Sequence, residues 1–172
     1  NASNLEFNQA YRLYTLAVAG RADWAAMNRL MLQQEKTLMG KWLLAGAYAL
    51  SGKKEIAAKL IEGSAMEVPA YQDDYFNYGS DMRDESFIAM VLNDMGNKTE
   101  SAKLIQKIIK RMVLISILTA LSLVLYIVGP KFALPFFPSF LEINFSMLPI
   151  FIGLFMLGPI DALGIALLRF LI

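Results

Sequence analysis

The side chains best suited to chemistry in this sequence are carboxylates. Asp73 and Asp74 stand side by side, and Asp81, Asp84 and Glu85 follow shortly after. Crowded acids of this kind can hold a hard cation, but the spacing is not that of an EF-hand loop. They read instead as a solvated connection and the start of a helix, with Ser80 or Asp81 capping a helix that begins near Met82. Lys53 and Lys54 read as a solvated corner between two helices. The sequence contains no His and no Cys. The commonest general base, the commonest metal ligand, thiolate chemistry and disulfides are therefore all absent. No acid–base pair stands at a useful spacing, so the expectation is no catalytic residue, no metal, no cofactor and no enzyme. A net charge of +1 leaves no electrostatic footprint for nucleic acid.

Charge is distributed unevenly along the chain that must position these groups. Residues 1–111 hold 14 of the 16 Lys+Arg and 13 of the 15 Asp+Glu, whereas residues 112–172 hold only Lys131, Arg169, Glu142 and Asp161. The first part reads as facing water and the second as facing lipid. The sequence starts at Asn1 and stops inside the apolar run "ALLRFLI", which reads as an excised piece.

Residues 1–109 repeat one pattern, an apolar helix, a glycine turn and a second helix with Ala and Leu on one face. It occurs in "LYTLAVAGRADWAAMNRL", "LLAGAYALSGKKEIAAKLI" and "AMVLNDMGNKTESAKLI". Gly20, Gly52 and Gly96 sit where a helix end needs a left-handed residue. Ala26, Ala58 and Ala102, each six residues later, are expected where paired helices approach. Trp24, Trp42 and the tyrosines are expected in the core. The glycine spacings of 32 and 44 residues are too irregular for strict tetratricopeptide stacking. They suit irregular helical hairpins, a partial α/α toroid.

The second part, residues 110–172, opens with "MVLISILTALSLVLYIVG", eighteen uncharged residues. That is close to the roughly 20 needed to cross a bilayer core. Lys110 and Arg111 precede it and assign its N-terminal end to the cytoplasm. Pro130, Pro135 and Pro138 break the next stretch. The run after it reads either as one span over 147–168 or as two shorter pieces divided at Gly158-Pro159. The Gly-Pro pair favours division, and Arg169 then needs a partner or must snorkel. The expected fold class is thus all-α, with the hairpin array followed by two or three transmembrane helices.

Two resemblances attach to these blocks. "AYRLYTLAVAGRADWAAMNRL", "KWLLAGAYALSGKKEIAAKLI" and "YGSDMRDESFIAMVL" resemble the later half of the thioester-containing helical toroid of bacterial alpha-2-macroglobulins. That family traps proteases through a Cys–Gln thioester upstream of the resembled part, so no reactive residue carries over and a scaffold remains. "FFPSFLEINFSMLPIFIGLFMLGPIDALGIALLRFL" resembles the substrate-binding S component of energy-coupling factor vitamin transporters, the riboflavin branch in particular. This second resemblance implies a multi-pass protein of the bacterial cell membrane. Its implied partners are a transmembrane coupling subunit with its ATPases and a vitamin such as riboflavin. It implies substrate contacts at Phe140, Glu142, Asn144 and Ser146, although Glu142-Ile143-Asn144 stands where the family often has Lys-Ile-Asp. Ser116 and Ala120, small residues four apart, resemble the small-xxx-small contact with the coupling subunit.

The two resemblances imply opposite sides of a membrane for residues 1–109, and they abut with no linker. The expectation is a join of fragments from two unrelated proteins, with its seam within residues 107–112. Three functions follow: part of a vitamin transporter, part of a protease-trapping protein, or a membrane-anchored helical-repeat interaction module.

Overall fold

Three helix starts in the first hundred residues are set by short polar side chains and three helix stops by glycines. The computed structural model describes residues 2–33, 36–68, 80–128, 131–133 and 142–171, with backbone alone at 2–4, 131–133 and 142–144. Helices α1 (Ala2–Val18), α2 (Trp24–Met31), α3 (Leu38–Leu50), α4 (Lys54–Ile61) and α5 (Asp81–Met95) precede the long α6 (Lys98–Val128). Asp23, Thr37 and Ser80 cap α2, α3 and α5 by accepting from the amides of Ala26, Gly40 and Arg83. Of the two candidates before Met82, Ser80 is the cap, and Asp81 and Asp84 lie in the first turn of α5.

Gly20, Gly52 and Gly96 all adopt positive φ, at 70°, 82° and 90°. Each closes its helix with the same pair of bonds. The residue after the glycine bonds back five residues, Arg21 N to Leu16 O, Lys53 N to Tyr48 O and Asn97 N to Leu92 O. The glycine amide bonds back three, to Ala17, Ala49 and Asn93. This is the Schellman closure written three times, and a side chain on the left-handed residue would strain it.

The chain divides by packing into two units, Asn1–Ile108 and Ile109–Ile172. In the first, α3 is the hub, packed against α1, α4 and α5. It is buried along most of its length, from Met39 to Ala49. Trp42, Leu43, Leu44 and Tyr48 join Ala10, Met27, Ile88, Val91 and Leu92 in one core.

Three expectations about side chains are corrected. Trp42 is in the core, but Trp24 is 42% exposed. Ala58 and Ala102 face solvent, and the small residues that turn inward are Ala57 and Ser101, one position earlier. One residue is a rotation of about 100° on a helix, enough to exchange the two faces. Asp84 and Glu85 are buried and ion-paired where solvated acids were expected.

In the second unit α6 continues without a break, so the proposed seam at 107–112 lies inside a helix. Nothing there stops one, since Lys, Gln, Arg, Met and Leu all tolerate helix and no Gly or Pro intervenes. A two-stranded antiparallel ladder follows, β1 (Lys131–Ala133) on β2 (Glu142–Asn144), which the helical reading had not anticipated. A single 3-10 turn, Phe145–Met147, leads into α7 (Leu148–Leu157). Gly158, at φ 103°, separates it from α8 (Pro159–Leu171). The Gly-Pro division is therefore present. At 10 and 13 residues α7 and α8 fall short of the roughly 20 that span a bilayer core. Among the described residues only α6 is long and apolar enough to cross.

Candidate functional site

Among the described residues of the second unit polar side chains are few, and several have a partner within it. Arg111, the last basic residue before the apolar run, donates from Nε to Asp161 Oδ2 at 2.7 Å. Asp161 lies in the first turn of α8 and is 8% exposed. The start of a helix favours a carboxylate, and a buried one demands a cation. Further along α6, the Ser122 hydroxyl donates to the Ser146 carbonyl at 2.6 Å, both residues fully buried. At the far end the Arg169 guanidinium lies 4.8 Å from the centre of the Tyr126 ring and donates to the Met147 sulfur. Arg169 thus has partners that suit a charge beside apolar surface.

Between these polar contacts, Gly153 of α7 lets three helices meet. A Cβ there would stand 2.6 Å from Ile165 Cδ1 and 3.5 Å from Leu118 Cδ1. The opposite face of α6 is bare: Val113, Ile117, Leu121, Val124 and Ile127 are all 44% exposed or more. Only 17% of its apolar window is buried.

The residues singled out from sequence fall differently. Ser116 and Ala120 lie on that bare face, with the Ser116 hydroxyl bonded back to Met112 O. Phe140 lies outside the described residues. Glu142 and Asn144 belong to β2, opposite Ala133 and Lys131, and their side chains also lie outside the described set. Ser146 is buried in the 3-10 turn. The four substrate positions are thus close in sequence, and among them only the Ser146 side chain can be located. Arg111 and Asp161 were missed as a pair. The available signal was a lone acid in an apolar run, which requires a partner wherever it is buried.

Several charged groups in the first unit are held in structural pairs. Arg83 pairs with Asp84 and lies 5.3 Å from the centre of the Phe7 ring. Lys107 bridges Glu85 at 2.8 Å and Glu67 at 3.5 Å, and the hydrogen bond it donates to Glu85 is the main reason its pKa is raised. Burial, followed by the hydrogen bond to Asp94, pushes the Tyr14 phenol far above its ordinary range, and burial raises Tyr48. Among the described residues no three His, Cys, Asp or Glu side chains gather as metal ligands. Asp73 and Asp74 lie outside the described residues.

No family model matches the chain, and neither a curated protein nor a solved structure matches it.

Proposed function

We propose that the chain is a membrane-anchored helical module, a water-facing array of helical hairpins held at the cytoplasmic face by α6. The observation that carries this reading is the continuity of α6 from a charged first part to an apolar second part whose outer face has no cover. Burying one exposed Ile or Leu in lipid contributes roughly 1.5–3 kcal/mol. Five such side chains along one helix face make water a poor solvent for residues 112–128. Lys110 and Arg111, at the entry, assign the first unit to the cytoplasmic side by the positive-inside tendency.

Alkaline carbonate extraction of bacterial membranes carrying the full chain tests the proposal. The chain is expected to stay in the pellet. Ile117→Asp with Leu121→Asp should move it to the supernatant, because each Asp at a span centre costs about 2.5–3.5 kcal/mol. Both positions are exposed, so the packed side of α6 is untouched. Extraction of the unmodified chain would sink the proposal.

A second reading, as part of a vitamin transporter, is favoured by one observation. Ser116 and Ala120 lie uncovered on α6, where close approach by another helix needs small residues. Titrating riboflavin with the detergent-solubilised chain tests it. Quenching of flavin fluorescence supports this reading, and unchanged fluorescence at high protein concentration removes it.

A further inference from the structure

We infer that α7 and α8 form a hairpin that leaves and re-enters on one side of the bilayer, its tip held at the depth of Arg111 by the Arg111–Asp161 ion pair. The inference rests on the membrane reading of α6 and adds a topology to it.

The order of contacts along α6 carries the argument. Moving from residue 111 to 126, α6 meets α7 and its preceding turn in falling order, Leu118 near Gly153 and then Ser122 with Ser146. It meets α8 in rising order, Arg111 with Asp161 and then Tyr126 with Arg169. So α7 runs against α6 and α8 runs with it. The Gly158 turn between them is left at the Arg111 end, and Phe145 and Leu171 point back toward the Val128 end. A single span through 147–168 would place Arg169 at the level of Arg111, whereas its guanidinium is on Tyr126.

Between the same two contacts, residues 111 to 126 rise about 22 Å along α6 and residues 161 to 169 about 12 Å along α8, so α8 is the shorter path. The tip otherwise offers only apolar side chains such as Ile160 and Leu163. At the tip itself, the ion pair is the polar contact that sets its depth. A buried carboxylate released from its cation is strongly unfavourable, so the pair fixes that depth in one direction and in register.

The chain has no cysteine, which makes single-cysteine labelling clean. Met112→Cys, Val128→Cys, Ile160→Cys and Leu171→Cys all replace side chains at least 53% exposed. Each is treated with a membrane-impermeant maleimide in sealed vesicles of either orientation. Met112→Cys and Ile160→Cys are expected to label from one side and Val128→Cys from the other, while Leu171→Cys, on a helix too short to cross, labels more slowly and only from the Val128 side. Leu171→Cys labelling from the Met112 side, or Ile160→Cys from the Val128 side, overturns the hairpin while the span stands. Met112→Cys and Val128→Cys labelling from the same side overturns the span itself and the hairpin with it. The clasp is read separately on Ile160→Cys. Arg111→Asp or the near-isosteric Asp161→Asn should change its labelling rate at least about tenfold, since breaking a buried pair is costly. The exchanged pair, Arg111→Asp with Asp161→Arg, should return the rate toward that of the unmodified clasp. Unchanged rates in both single variants overturn the clasp.

Discussion

The Tyr14 hydroxyl of α1 donates to Asp94 Oδ2 of α5 at 2.8 Å, and its ring packs against Gly46 of α3. Folding therefore favours the neutral phenol. Burial disfavours phenolate, and the carboxylate beside it disfavours a second negative charge. The unfolded chain loses this proton near pH 10, the folded chain only well above it. The folded state thus binds more protons above pH 10, and stability must fall as pH rises through that window. Tyr48 and Lys107, both raised, act with the same sign. Melting of the full chain in detergent is expected at a lower temperature at pH 11 than at pH 9. Tyr14→Phe should flatten that drop while costing about 0.5–1.5 kcal/mol at neutral pH through the lost hydrogen bond. Equal slopes in the two proteins would show that Tyr14 does not titrate as described. None of this was legible beforehand, because residues 14 and 94 are far apart in sequence and neither type announces a partner.

At the scale of elements, the helix ends were legible and the helix faces less so. A glycine with positive φ is a local requirement, which is why Gly20, Gly52 and Gly96 could be assigned to helix stops from sequence. The inward face of the following helix depends on how the pair crosses. That is why Ala57 and Ser101 turn inward while Ala58 and Ala102 do not. Ser101 donates to the Ala89 carbonyl at 2.7 Å, a contact that ties α6 to α5. On α3, a glycine serves packing. A Cβ at Gly46 would lie 2.7 Å from Tyr14 Cε2 and 2.8 Å from Val91 Cγ2, with neither a ring nor a β-branched chain able to yield freely. Alanine gains up to about 1 kcal/mol in helix propensity there, against about 1–3 kcal/mol of overpacking. Gly46→Ala is therefore expected to destabilise the first unit, seen as a lower urea midpoint with an unchanged m-value. A raised midpoint would mean that α1 and α5 can retreat from α3.

At the scale of the whole chain, the proposed membrane setting makes the two packing units of one sequence rely on different solvents. The charge break after Arg111 made that division legible, and it lies within one helical turn of the packing division between Ile108 and Ile109. The break at Gly158-Pro159 was legible, but the Arg111–Asp161 bond was not, because it joins residues fifty positions apart. The first unit is held by a core around α3 that urea dissolves by solvating apolar and peptide groups. The apolar half of α6 has little core of its own and, in the proposed setting, is held by lipid or detergent, from which urea is largely excluded. Its backbone bonds are all internal, so unwinding within the apolar phase would cost several kcal/mol per unsatisfied group. Urea titration of the full chain in mild detergent, followed by circular dichroism, is thus expected to give one cooperative loss from α1–α5 and then a helical plateau from residues 112–128. The Arg111–Asp161 pair decides whether α7 and α8 belong to that plateau. With Asp161→Asn the plateau should drop, because the hairpin loses the bond that seats it on α6. A single transition that removes all ellipticity would mean that both units share one core and that detergent does not shelter α6.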